Sequence, residues 1–225
     1  MQTVEHAVIA AAGLGSRLGH GLPKCMLELG GQTLLTRLIT CLKDHVNRIH
    51  VVVGYREELI TNLCAQLHRD VVLVRNPDFR ITNTVQSMAL GARGLNGKTI
   101  FLDGDLVIQR ASLRTFIEKA SKYHILAAIT PSRSENPVNV TLNPSPPSST
   151  SIHLQIKTFT RERGLSYEWA NVVAGPARLL DGAKGYVYEK LEAHTPLSAE
   201  ILELREIDTV TDLEQAKKFV MELGS

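Results

Sequence analysis

The chain has 225 residues, 44% of them hydrophobic, which is enough for one sizeable core and short for two, so a single domain over 1–225 is expected. Its 25 basic and 23 acidic residues leave a formal charge of +2 with no charged tail or block, which excludes a charge-driven binder of nucleic acid or of an anionic membrane. No stretch approaches the ~20 apolar residues of a membrane span, and the apolar run near the N-terminus has Glu5 before it and Arg17 and Lys24 after it, unlike a secretion signal.

That run opens the most informative stretch of the chain. His6-Ala7-Val8-Ile9-Ala10-Ala11-Ala12 is small and β-branched, as a strand buried on both faces requires. Gly13-Leu14-Gly15-Ser16-Arg17-Leu18-Gly19-His20-Gly21-Leu22-Pro23-Lys24 follows as a glycine-rich, basic loop. Its glycines let the backbone turn sharply and come within hydrogen-bonding distance of a phosphate. Arg17 offers a fork of donors and Lys24 a mobile point charge, a pair suited to holding a triphosphate and to stabilising charge at an attacked phosphorus. The competing reading is a tight strand-to-helix turn. Leu18 stands where the dinucleotide pattern needs its third glycine, and no lysine directly follows a second glycine as in a Walker loop.

The full string A-A-G-L-G-S-R-L followed by P-K resembles the signature of the nucleotidyltransferases of the sugar-nucleotide and cytidylyltransferase superfamily. The resemblance implies catalytic roles for Arg17 and Lys24, and nucleotide contacts for Ala11, Ala12, Gly13, Gly15 and Ser16.

Along the chain, Thr33 to Leu42 has helical spacing, Ile49 to Gly54 reads as a second buried strand, Glu57 to Leu67 as a helix and Val71 to Val74 as a third strand. His50 within the second strand reads as a satisfied structural histidine. Successive βαβ units call for right-handed crossovers and an α/β fold, a mostly parallel Rossmann-like sheet flanked by helices, with ligands at the carboxyl ends of its strands. Cys25, Cys41 and Cys64 are odd in number and form no C-x-x-C pair, so reduced thiols of a cytoplasmic protein are expected.

The polar segment from Arg75 runs into a short helix ending near Ala92, which Thr82 or Asn83 can cap. Its T-N-T-V-x-S string looks like an element of choline-phosphate and phosphonate cytidylyltransferases that lies near the nucleotide, which makes Asn83 and Ser87 nucleotide-side candidates beside a purely capping role.

Thr99-Ile100-Phe101-Leu102-Asp103-Gly104-Asp105 is an apolar strand ending in two carboxylates, which need water or a cation there. Mg²⁺, with its taste for one or two carboxylates plus phosphate oxygens, is the expected cofactor. The resemblance assigns the metal to Asp105 and puts Asp103 behind it, against the nucleotide or close to the acceptor.

Ile125 to Ile129 makes another strand, and Val138–Leu142 with Ile152–Ile156 flank a Pro- and Ser-rich tip as a hairpin. The resemblance implies that an inserted β element, 131–175, covers the acceptor. Tyr167, Glu168 and Trp169 could together cradle a cationic head group there, with Asn171 beside them, whereas plain aromatic packing against the hairpin is the alternative. Ala183 to Leu191 and Ser198 to Leu204 read as helices. In E-I-D-T-x-x-D-L, Asp208 closes a short strand, Asp212 sits in the first turn of the last helix, and Thr211 with Glu214 makes a capping box. The resemblance makes Asp208 the second metal carboxylate.

The short Leu18–Leu22 segment and the lack of a convincing G-T-A or E-K-P element tilt the reading from sugar-1-phosphate enzymes toward cytidylyltransferases. The expected partners are therefore CTP and a small phosphonate or phosphocholine-like phosphate ester, without nucleic acid or membrane insertion, and a homodimer stays open. A sugar-1-phosphate nucleotidyltransferase and a non-catalytic nucleotide-binding regulator are the alternatives. A pure binder has no need of both metal acids.

Overall fold

A computed structural model describes residues 3–15, 21–143 and 154–223. The chain opens with β1 (Val4–Ala10), a single 3-10 turn at Lys24–Met26, the short pair β2 (Glu28–Leu29) and β3 (Gln32–Thr33), α1 (Leu34–Leu42), β4 (Arg48–Val53), α2 (Glu57–Leu67) and β5 (Val72–Arg75). It continues through α3 (Thr84–Gly91), β6 (Lys98–Asp103), β7 (Leu106–Ile108), α4 (Arg110–Ala120), β8 (Leu126–Pro131), β9 (Asn139–Leu142) and β10 (Leu154–Thr160). Then come β11 (Tyr167–Pro176), α5 (Val187–Glu192), β12 (Leu197–Ile201), β13 (Leu204–Glu206) and α6 (Val210–Glu222).

Most strands join one nine-stranded sheet in the order β5-β4-β1-β6-β11-β8-β12-β10-β9. The period of two along a strand sorts its side chains between two cores. Ala7 and Ile9 of β1 pack with α1, α2 and α4 through Leu38, Ile60 and Phe116, whereas Val8 faces the other way onto Val85 and Met88 of α3. Strands apolar on both faces are thus explained by helices on both faces, and each fully buried Leu or Ile is worth about 1.5–3 kcal/mol. A third cluster, Leu34, Val107, Ile207, Phe219 and Val220, docks α6 beside β7.

The Rossmann-like layering stands, with a refinement: β5, β4, β1 and β6 run parallel, as do β8 and β12, but β11 lies antiparallel to both β6 and β8. Among the described residues no helical crossover separates β8, β9, β10 and β11, so consecutive strands return antiparallel and the sheet is mixed. The hairpin forms as expected, with Phe159 opposite Val140. The Pro- and Ser-rich tip from 144 to 153 lies outside the described residues.

Two expectations are corrected. Ser198 to Leu204 is not helical: β12 is a strand, parallel to β8 and antiparallel to β10, because Leu197 and Ala199 fill the core under the sheet. The last helix starts two residues earlier than read, since Thr209 caps it, its hydroxyl accepting from Asp212 N at 3.2 Å while Asp212 Oδ2 accepts from Thr209 N at 2.8 Å. His50 is buried with Nδ1 2.7 Å from Gly91 O, a structural contact. The three cysteines are free thiols.

Candidate active site

Ala10 and Asp103 are paired neighbours at the carboxyl ends of the parallel strands β1 and β6, so the glycine-rich turn and the acids start side by side. Gly104 makes this possible: its N–H donates to Ala10 O at 2.9 Å, and an added Cβ would lie 2.9 Å from that same oxygen. The chain then leaves the large sheet, and β7 pairs antiparallel with β13, placing Glu206 opposite Leu106 and next to Asp105. Asp208 follows two residues on, immediately before the Thr209 cap.

Lys24, carried by the 3-10 turn, reaches across this convergence. Its Nζ lies 3.0 Å from Asp105 Oδ2 and donates to Asp208 Oδ1 as well. Burial works against the ammonium charge, but Asp105 and Asp208 outweigh it and hold Lys24 above its ordinary pKa. Asp103, Asp105 and Glu206 each offer an oxygen within 4.8 Å of one another. Burial, and next the charge of Asp105, push both Asp103 and Glu206 well above the usual carboxylate range. Asp103 Oδ1 and Asp105 Oδ1 are buried without a hydrogen-bond partner among the described residues. Carboxylate oxygens crowded together with lone pairs unspent fit a hard divalent cation, since one ammonium does not balance them.

Two cavities meet at this cluster. One, of about 360 Å³, is lined by Ala11, Ala12, Gly13, Gly15, Asn83, Ser87 and Asp103, which brings together every described residue expected on the nucleotide side. Asn83 is the N-cap of α3: its N–H donates to Gln86 Oε1 at 2.9 Å, its Nδ2 donates to Gly185 O, and its Oδ1 is buried without a partner among the described residues. Ser87 Oγ accepts from Asn76 Nδ2 at 3.0 Å. Ser16 and Arg17 lie outside the described residues.

The second cavity, about 740 Å³, shares Lys24, Asn83, Asp103 and Asp105 with the first and extends under β11. Here the expected three-residue cradle is corrected. Tyr167 does not line the cavity; Trp169 lines it beside Glu168 and also packs edge-on to Phe159, with ring centroids 6.2 Å apart. Successive residues of a strand face opposite sides, which separates Tyr167 from Glu168. Glu168 is 4% exposed; its Oε1 accepts from Arg133 N at 3.0 Å, Ser134 N at 3.2 Å and Ser134 Oγ at 3.0 Å. Glu168 Oε2 is buried and has no partner among the described residues.

Further aromatic lining comes from Tyr186 and Tyr188, stacked at 5.7 Å, with the Arg161 guanidinium 5.4 Å from the Tyr188 ring centre. Arg133 and Arg205 line the same cavity, and Arg205 lies 4.4 Å over Phe219. Burial, then the nearby charge of Arg133, draws Arg205 below its ordinary pKa. Asn171 holds a left-handed backbone, φ 55°, where the β11 register shifts, and its Nδ2 donates to Glu206 Oε2 at 3.0 Å.

Sequence reasoning missed Glu206, Arg133, Arg205 and the tyrosine pair. For Glu206 a signal existed: it stands two residues before Asp208, a spacing that puts both on one face of extended backbone. Arg133 comes from the loop after β8, Arg205 from β13, and the tyrosines from the start of α5, none of them within a recognisable pattern.

The profile of the MobA-like NTP transferase domain matches residues 7–173. The bifunctional protein GlmU of Neisseria meningitidis serogroup A is 35% identical over 121 residues, 53% of this chain and 26% of that protein. The CMP-5'-(3-aminopropyl)phosphonate synthase of Streptomyces rubellomurinus is 33% identical over 113 residues, 48% of this chain and 18% of that protein. The chain thus spans about a quarter or less of the length of these relatives. The inositol-1-phosphate CTP transferase of T. maritima has the same fold at a TM-score of 0.76, with 19% identity over 99% of this chain and 98% of that one.

Proposed function

The chain belongs to the MobA-like NTP transferase family, and from that premise we propose that it is a cytidylyltransferase joining CTP to a small phosphonate or phosphate-ester acceptor. The observation that carries this reading is Lys24, bound to Asp105 and Asp208 at the junction of the two cavities, where nucleotide and acceptor would meet.

The acceptor's anionic oxygen attacks the α-phosphorus of CTP, a new P–O bond forms, and the bond to the bridging oxygen breaks, with pyrophosphate taking the electron pair. An acceptor already ionised at neutral pH needs no general base, so the protein supplies position and positive charge. Lys24 meets the charge that develops between the reacting groups. Arg133 and Arg205 suit the acceptor's phosphonate or phosphate, and Arg17 the β- and γ-phosphates. A divalent cation, with Mg²⁺ the expected one, would be held by Asp105 and Asp208 beside Asp103 and Glu206, and supplies charge neutralisation for the triphosphate. Asn83 and Ser87 face the nucleotide from the start of α3.

Glu168 Oε2 and the Tyr186–Tyr188 stack together favour an acceptor ending in an ammonium group. The partial likeness to an aminopropylphosphonate enzyme points the same way, and a sugar-1-phosphate acceptor is the alternative. Incubation with each of the four nucleoside triphosphates, Mg²⁺ and a panel of acceptors, read by pyrophosphate release, tests both. CTP with an aminoalkylphosphonate or phosphocholine is expected to be the best pair. Preference for a sugar 1-phosphate would establish the alternative, and no release with any pair would remove the enzyme reading.

A further inference from the structure

We propose that the corner between β4 and α2, Gly54-Tyr55-Arg56, is a clamp on both ends of the glycine-rich turn, and that Arg56 is a positioning residue for Lys24; the catalytic consequence rests on the function proposed above. At the first end, Tyr55 N donates to Ala12 O at 3.1 Å. Gly54 allows this approach, since a Cβ there would lie 3.0 Å from Ala12 O and 2.7 Å from Phe79 Cβ. At the second end, Arg56 Nη1 donates to Gly21 O at 2.7 Å and the Tyr55 hydroxyl lies 3.5 Å from the same oxygen.

The conformation of Arg56 is costly for its own helix. It occupies the N-cap position of α2 in a left-handed backbone, φ 47° and ψ 43°, and makes no side-chain cap. Ser, Asp or Asn would serve better as a cap, and Gly or Asn would adopt that backbone more readily. What arginine offers instead is reach: Glu58 Oε1 takes its Nε at 3.2 Å, leaving Nη1 directed at Gly21. Strained backbone that persists without local benefit marks a position held for another reason.

From Gly21 the restraint passes to Lys24 along stiff chain. Pro23 fixes its own φ, and the 3-10 turn is closed by Met26 N to Pro23 O at 2.9 Å and Leu27 N to Lys24 O at 3.0 Å. Gly15 packs against the lysine stem, where an added Cβ would lie 3.1 Å from Lys24 Cγ. A shift at Gly21 therefore moves the ammonium relative to Asp105 and Asp208.

Arg56→Gly tests this, because it relieves the left-handed backbone while cutting the clamp. Its melting temperature is expected to equal or exceed that of the parent. Amide exchange of Met26 and Leu27, measured without nucleotide, should accelerate about tenfold as the turn loosens. With CTP and the best acceptor, kcat should fall about tenfold with a smaller change in KM, and Arg56→Lys should recover part of it. Unchanged exchange at Met26 and Leu27 overturns the clamp, whatever the activity. Faster exchange with unchanged kcat overturns the positioning of Lys24. A parent that turns over no nucleotide overturns the proposed function and with it the role of Lys24, while the exchange result still decides the clamp.

Discussion

Asn171 Nδ2 donates to Glu206 Oε2 at 3.0 Å, tying the irregular point of β11 to the short strand that carries the acids. The contact joins two elements with no backbone pairing to each other, and it holds Glu206 beside Asp105 and Asp103. Asn171→Ala loses the hydrogen bond to Glu206 and leaves a left-handed backbone without the polar side chain that makes it tolerable, so it should destabilise the protein by about 2 kcal/mol. Urea denaturation reads this; a loss within a few tenths of a kcal/mol would mean that Glu206 is held by other contacts.

Lys24 bridges Asp105 and Asp208, the acids proposed to hold a divalent cation. Lys24→Ala should lower kcat by about 10²-fold or more, as for the loss of one electrostatic donor. It should also melt at a lower temperature than the parent in EDTA and recover part of the difference in Mg²⁺. Near-normal turnover would reject Lys24 as a catalytic group, and melting indifferent to Mg²⁺ would reject cation binding at these acids.

Glu168 lines the cavity, serves the 133–134 segment through Oε1 and has Oε2 without a partner among the described residues. Glu168→Gln keeps the shape and an acceptor oxygen but removes the charge. KM for 2-aminoethylphosphonate should rise about tenfold, the scale of a lost interaction with a partly desolvated cation, with little change for 2-hydroxyethylphosphonate. Competition between the two acceptors followed by phosphorus NMR separates them. Equal effects on both would make Glu168 a loop anchor only.

Burial pushes the Cys64 thiol up to about 11 and Cys25 higher still, burial again the leading cause and the charge of Asp105 the next. The sign follows from linkage: the unfolded thiols ionise near pH 9 and the folded ones do not. Their contribution to stability is therefore complete below pH 9 and lost as pH rises from there, by about 11 for Cys64 and at higher pH for Cys25. At pH 8 the folded protein should react with a thiol reagent at Cys25 and Cys64 far more slowly than the unfolded chain, checked by mass spectrometry of the labelled peptides. Rapid labelling of Cys64 in folded protein would show that α2 opens readily.

Much of the architecture is legible along the chain, because the strands that begin it alternate with helices at clear periods and the chemistry-bearing strings are local. Ala7–Ile9 announces a doubly buried strand, Gly13 and Gly15 its sharp turn, and Asp103 with Asp105 a strand end that needs a cation. What stays hidden depends on partners far away in sequence. Ser198, Ala199, Glu200 and Leu202 are compatible with a helix, yet pairing with Ala127–Ile129 and with Leu154–Ile156 makes β12 a strand, because a buried backbone must find its hydrogen bonds in the sheet. Glu206 gains its meaning only when β13 is laid against β7, and the Tyr186–Tyr188 wall only when that segment faces β10. Local pattern determined which residues would form strands, turns and charged ends; the order of strands across the sheet decided which of those ends meet, since side chains 184 positions apart such as Lys24 and Asp208 come together only through packing of the whole chain.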